Sequence, residues 1–401
     1  MAEAAERAGP GAIDEWVRGA PVEALLPPRP RGGQVSRGHA EPTDHLTVAS
    51  GVSLAVVALG EAFVVVPVAD GATPRRAVAG DGAFAGLLDT MLEGRASGSF
   101  RGEAYRPTHP GGSMDPLRRA TGSAERGIDV DQSNESVIVG GSAVVKLFPL
   151  TAPGPQPGLD LPIHLASVGF RWHPAPLGAL RWRSPAGDEV VLATACAYLA
   201  RARDGWDWYL DRTLGWLDGS IDDRAAFEPA PTIGRIAARM HAALGTPSSV
   251  LPDPVREADV ATAEAWRHST LGVAEQASAL TRGDEGARLA ARAGPIRATL
   301  QALGDAVGAV TTRVHGDFHV GQVLEWEGGY AVTDFDGNPV APPAERVAFD
   351  TPVRDVAAFV RSIDHLGRVA AARRPGRDID IDTWIATSRA AFLDAYRHEL
   401  D

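Results

Sequence analysis

Two short stretches of the chain carry residue types suited to moving a phosphoryl group. The first is Val314-His315-Gly316-Asp317-Phe318-His319-Val320-Gly321-Gln322-Val323-Leu324. The second is Asp334-Phe335-Asp336-Gly337, with Asp334 17 residues beyond Asp317 and 12 beyond Gln322. Phosphoryl transfer to an alcohol needs a carboxylate that orients the hydroxyl and accepts its proton. It also needs oxygen ligands that hold Mg²⁺ against the phosphates. Asp317, in a polar loop, suits the first task, and Gln322 and Asp334 offer an amide and a carboxylate oxygen for the second. Val323–Leu324 and Tyr330–Thr333 are expected to pair about a turn at Glu327-Gly328-Gly329, which returns Asp334 to the side of Gln322 so that both reach one metal ion. A lone Asp in a loop is commonly a turn or cap residue; the constellation is what points to chemistry. His315 and His319 would need a helix to converge on zinc, and Gly316 and Gly321 oppose a helix there.

A third stretch runs from Asp131-Gln132-Ser133-Asn134-Glu135-Ser136 through two β-type runs about Gly140–Gly141 to Lys146-Leu147-Phe148. Lys146 is the only lysine in a chain that otherwise uses arginine. It shares a strand face with Val144 and Phe148, and an ammonium on an apolar strand is costly to bury without a negative partner. An edge-strand lysine reaching solvent is the ordinary alternative. Upstream of the Asp317 segment, ATP phosphates are the more specific partner, and a compact ammonium suits them better than a guanidinium. The polar loop containing Ser133, Asn134 and Ser136 is expected to lie over those phosphates, offering hydroxyls and backbone N–H groups.

The elements that position these residues follow from periodicity. Leu54–Leu59 and Ala62–Val68 read as a hairpin about Gly60–Glu61, and Gly82–Glu93 as a helix with Phe84, Leu87, Leu88 and Met91 on one face. Strand signals recur at Ser136–Val139, Ala143–Phe148 and Val190–Ala195. Beyond Trp206 the pattern is mainly helical, at Phe227–Leu244, Val260–Leu280, Gly286–Leu303, Val353–Leu366 and Ile381–Glu399. Strands first and helices later is an α+β, bilobal, kinase-like order. The expected domains are a cap module over residues 1–94, a β-rich nucleotide-binding lobe over 95–200, and a mainly helical lobe with the catalytic and metal-binding loops over 201–401.

Composition narrows the class further. With 401 residues the chain exceeds one ordinary core. A formal net charge of -12 argues against sequence-independent nucleic-acid binding, which relies on Lys and Arg at phosphates. No apolar run approaches a membrane span, and the acidic first residues do not read as a signal peptide. The lone Cys196 forms no internal disulfide. A cytoplasmic, monomeric enzyme is expected, with no nucleic-acid or membrane partner.

Together, DQSNESV, VVKLF, DGW at Asp204–Trp206, HGDFHVGQVL, DFDGNP, and TPVRDVAAFVRSIDH at Thr351–His365 resemble the maltokinase-like branch of the aminoglycoside-phosphotransferase and eukaryotic-like kinase group, over roughly residues 130 to 400. The resemblance implies a bilobal fold in which Lys146 binds ATP phosphates, Asp317 is the catalytic base, and Gln322 and Asp334 bind Mg²⁺. Maltokinases typically read DFEGEP where this chain has DFDGNP, and they place a glutamate after the strand lysine. In PLTAPGPQPGLDL, Asp160 would have to replace that glutamate. The chain more closely resembles the actinobacterial glucosamine kinases, which implies phosphorylation of glucosamine on its 6-hydroxyl. Maltose or an aminoglycoside is the alternative acceptor, and an inactive pseudokinase module is the alternative of a different class. An amino sugar wants carboxylates near its ammonium. Asp336, Asp355 and Asp364 follow the catalytic segment, but Asp355 is also placed to pair with Arg354 or cap a helix, and Asp364 to be a solvated helix residue. Asp336 alone is therefore taken as the substrate contact.

Overall fold

The structure, a computed structural model, describes residues 10–27, 40–71, 73–105, 124–128, 134–375 and 380–401. Its first half is built from two antiparallel sheets. Glu41–Ala49, Val52–Leu59 and Ala62–Ala69 form a meander, and Arg75–Arg76 and Leu150–Thr151 both pair with its third strand. The second sheet runs Ala96–Ser97, Phe100–Ala104, Pro176–Arg183, Glu189–Ala197, Ala143–Leu147, Glu135–Val139 and Glu125–Gly127. The helix Ala83–Leu92 fills the space between the sheets, and nine of its ten residues are buried. Val56, Phe84, Leu87, Val145, Leu147 and Leu192 share one core there. The expected boundary at residue 94 falls between this helix and Ala96–Ser97.

Alternation along Ala143–Leu147 sets the direction of Lys146. Ala143, Val145 and Leu147 are buried in the core, so Val144 and Lys146 point to the opposite, half-buried face. The next segment reads poorly as a helix because Pro157, Gly158 and Pro162 lie within 6 residues of one another, yet Pro157–Ser167 is helical. Pro157 sits at its first turn, where a missing N–H removes no internal bond.

The second half packs helices around a small hairpin. Pro229–Leu244, Val353–Arg373 and Ile381–Leu400 enclose a core in which Phe318, Phe359 and Phe392 stack in series, with centroids 4.9 and 4.7 Å apart. The hairpin pairs Val323–Trp326 with Gly329–Val332, so Gly329 belongs to a strand and the loop is the tighter Glu327-Gly328. Trp208, on the helix Gly205–Leu217, donates its indole N–H to Val323 O at 2.9 Å and fixes the hairpin to that helix. Val260–Leu280 and Gly283–Gln301 form an arm that packs mainly on itself. Ala263 is the only buried residue among the described side chains of those two helices.

The aromatic series joins the Phe318 loop to two helices, so its middle ring is the sensitive one. Phe359→Ala should lower stability by about 3–5 kcal/mol, seen as a lower urea midpoint with an unchanged slope.

Candidate functional site

The stretch from Val314 to Gln322 is held by its backbone. Asp355, buried at 1% exposure on the helix Val353–Arg373, accepts the amide N–H of His315 at 2.8 Å and of Gly316 at 3.0 Å. His241 faces the same carboxylate at 3.2 Å through Nε2, and its Nδ1 meets the Tyr396 hydroxyl at 2.8 Å. Tyr396 lies on the last helix, so three helices converge on one carboxylate. Burial alone would raise the Asp355 pKa, but the His241 contact and the amide bond from His315 outweigh it and hold it below its ordinary value. The Ser362 hydroxyl accepts the Val320 amide at 3.0 Å and fixes the far end of the loop.

Local side chains then aim the loop's functional groups. His315 Nε2 meets Thr333 O at 2.9 Å, which makes that nitrogen the N–H donor and leaves Nδ1 facing the Asp317 amide at 3.4 Å. The same contact ties the loop to the strand leading into Asp334. Asp317 is half-buried, with His319 Nε2 3.8 Å from its carboxylate. Its pKa is raised, chiefly by burial. The nearby histidines oppose that shift, and the Asp334 and Asp355 carboxylates reinforce it. His319 Nδ1 accepts the Gly321 amide at 3.0 Å.

Gln322 ends a short 3-10 turn, and its carbonyl accepts the Thr333 amide at 2.9 Å. That contact continues the hairpin register and places Asp334 one residue beyond the segment opposite Gln322. Asp334 adopts a left-handed backbone, φ 63°, a conformation that costs a non-glycine residue of order 1–3 kcal/mol. The oxygen-only pair of Gln322 and Asp334 fits a hard cation such as Mg²⁺, which keeps its other positions for phosphate oxygens and water.

From the other lobe, Lys146 Nζ lies 3.2 Å from Asp334 Oδ1 and in closer contact with Asp336 Oδ2. Burial would lower the ammonium pKa, but the two carboxylates outweigh it and hold it above the usual range. Asn134 donates its side-chain N–H to Asp336 at 3.4 Å, and Ser136 sits opposite Lys146 in the sheet. Ser133 lies outside the described residues.

The structure thus brings Lys146, Asn134, Ser136, Asp317, Gln322, Asp334 and Asp336 to one cleft. Asp336, expected at the acceptor amine, faces Lys146. Asp355 anchors the loop that carries Asp317 and leaves Arg354 to pair with Asp350 at 2.6 Å; Asp364 lies 3.8 Å from Arg368. Sequence spacing carries no sign of Asp355, His241, Tyr396 and Ser362 as loop supports, because they contact the loop or one another from distant segments.

Beside the loop, Gly205 opens the helix Gly205–Leu217 in direct contact with Val320, where a Cβ would come within 1.8 Å of the Val320 carbonyl. The following Trp206 and His319 flank Gly321. Beyond Trp206 runs an open groove lined by Asp207, Asp211, His365 and Arg373, with the Trp206 and His365 rings edge to face at 5.3 Å.

A β-rich lobe whose strand lysine faces Asp334 and Asp336, joined to a helical lobe with this loop pair, defines the chain as bilobal and protein-kinase-like. The chain is 36% identical to a solved glucosamine kinase in complex with glucosamine, ADP and inorganic phosphate, with a TM-score of 0.78 over 96% of this chain and 87% of that one. A glucosamine kinase of Mycolicibacterium smegmatis is 34% identical over 334 residues, 82% of this chain and 78% of that protein. One from Streptacidiphilus jiangxiensis is 42% identical over 295 residues, 71% of this chain but 65% of the relative's own length, just under two thirds. No family model matches the chain. The chain belongs to the glucosamine kinase family.

The Asp355 anchor has a pH signature. Its folded pKa lies below the ordinary 3.8, so the unfolded chain binds its proton first on acidification. The stability it contributes is present above that value and is lost as pH falls through the lower folded pKa. Denaturant titrations between pH 5 and 2 should show a steep acid loss that is shallower in Asp355→Asn, whose stability is already reduced at pH 7.

Proposed function

We propose that this chain transfers the γ-phosphate of ATP to the 6-hydroxyl of glucosamine. The observation that carries this reading is the meeting of Lys146 from one lobe with Asp317, Gln322 and Asp334 from the other, in a chain of this family. Lys146 binds the nucleotide phosphates as a compact positive charge, and Asn134 and Ser136 line the same side. Gln322 and Asp334 hold Mg²⁺, which when bound neutralises charge on the phosphates. Asp317 orients the acceptor hydroxyl and takes its proton. The hydroxyl oxygen bonds to the γ-phosphorus as the bond to the β,γ-bridging oxygen breaks, and ADP leaves. A base with a raised pKa is closer to working pH than an ordinary aspartate, which favours proton acceptance. The groove past Trp206 offers that indole and the carboxylate of Asp207 to a cationic sugar, while Asp211 is engaged by Arg203.

An ADP-release assay over glucosamine, glucose, N-acetylglucosamine, maltose and aminoglycosides tests the acceptor. Glucosamine should give the highest kcat/KM, and equal values for glucose and glucosamine would remove the amino-sugar reading. Asp317→Asn should lower kcat on the order of 10²–10⁴-fold. The acid limb of the wild-type kcat/KM profile should lie above the ordinary Asp value of 3.8, because the raised carboxyl must lose its proton to act. In Gln322→Ala a higher magnesium concentration should be needed for half-maximal rate, and Asp334→Ala should abolish turnover. An unchanged magnesium titration in Gln322→Ala would argue against the shared site.

A further inference from the structure

Lys146 needs a carboxylate partner, and the sequence offers one on the helix that follows its strand, at Asp160. The structure places Asp160 elsewhere. Its Oδ2 accepts the Gln156 amide at 3.3 Å, capping its own helix, and the charged groups acting on it are Arg181 and Arg313. The carboxylates that reach Lys146 come instead from the opposite lobe.

Of these, Asp336 is the one the smaller lobe encloses. Lys146 and Asn134 both donate to its Oδ2. Gly158, at the second position of the helix Pro157–Ser167, lies against its other oxygen, and a Cβ there would come within 1.7 Å of Oδ1. That helix N-terminus also presents partial positive charge to the carboxylate. A sugar ammonium seeking Asp336 would have to displace Lys146 from a charge-assisted contact. Asp334, by contrast, meets Lys146 at the longer distance of 3.2 Å and is more exposed than Asp336.

We propose that Asp336 is a positioning residue that holds Lys146 toward the nucleotide phosphates across the cleft, in the role the sequence offers to Asp160. The assignment rests on the reading of Lys146 as the phosphate-binding lysine. It makes the lysine–acid pair a link between lobes, so the lysine is aimed when the lobes meet, and Gly158 is the residue that leaves room for it.

Because Lys146 is the sole lysine, isotope-labelled lysine gives a single side-chain ammonium NMR signal in the full chain. Asp336→Asn should shift that signal and speed its proton exchange. Gly158→Ala, which keeps Asp336 but fills its space, should move it in the same direction, and alanine suits a helix better than glycine. Asp160→Asn should leave it in place. In kinetics, Asp336→Asn should lower kcat on the order of 10–100-fold with the glucosamine KM and the glucosamine-over-glucose preference retained. A lysine signal that moves in Asp160→Asn and stays fixed in Asp336→Asn overturns the assignment, as does collapse of the sugar preference in Asp336→Asn. ADP binding to the unaltered protein, measured by calorimetry with magnesium, tests the nucleotide site with Asp336 in place. Its absence would overturn the nucleotide-site reading itself, whereas ADP binding with an unmoved lysine signal overturns only the role of Asp336.

Discussion

The loop that holds Asp317 depends on one buried carboxylate. A loop cannot fix its own backbone, and Asp355 does so by accepting two successive amides, from His315 and Gly316. A carboxylate at 1% exposure is tolerated only where donors saturate it. Here the donors are the loop itself and His241. The dependence is therefore mutual: the loop's amides are satisfied by the helix, and the helix's charge is satisfied by the loop. Tyr396 extends the arrangement through His241 to the last helix, so docking of the C-terminal helix is coupled to the geometry of Asp317 by hydrogen bonds as well as by the Phe318, Phe359 and Phe392 stack.

The two lobes contribute in different ways. The sheet lobe supplies direction: strict alternation in Ala143–Leu147 leaves Lys146 no choice of face. The helical lobe supplies strain and support. Asp334 sits in a left-handed conformation that its neighbours must sustain, and they do so through the hairpin register, the His315 contact with Thr333 O and the Trp208 contact with Val323 O. Strain held in place this way is a common property of sites that must present a group before its ligand arrives.

Much of this was legible in the sequence. The hydrophobic hairpin, the helix around Phe84–Met91, the long C-terminal helices and the spacing of Asp317, Gln322 and Asp334 all follow from local periodicity and turn chemistry. Three kinds of feature were not. Glu41–Ala49 and Pro176–Arg183 lack the continuous apolar signal of a strand, and their pairing with Val52–Leu59 and Glu189–Ala197 supplies what their own residues do not. Pro157–Ser167 carries two prolines and a glycine, yet the first proline is harmless at a helix start, and buried Leu159, Leu161 and Leu165 hold the rest. Contacts such as those of Asp355 with His315, or Asp336 with Lys146 and Gly158, join segments 40 to 190 residues apart, and no local pattern encodes them. Asp336 shows the consequence. Counted along the chain it is simply the acid nearest Asp334, and only the closing of one lobe on the other reveals that its near side is occupied.

Charge in the cleft sets the last constraint. Asp334 acts on both Asp317 and Asp336, and Lys146 is set against Asp334 and Asp336. The conflict is visible in their opposed shifts: Asp334 is held low beside the lysine, while Asp336 is pushed up by burial and by its acidic neighbour despite the same lysine. A nucleotide adds further negative charge to this space. One ammonium cannot balance three carboxylates and a polyphosphate at low dielectric, where each uncompensated charge costs several kcal/mol. The arrangement therefore leaves negative charge in excess, which the divalent cation of the proposed reading would offset. The proposed Mg²⁺ at Gln322 and Asp334 thus answers a charge deficit as well as a ligand geometry, because it relieves the repulsion that would otherwise drive the phosphates away from Asp317.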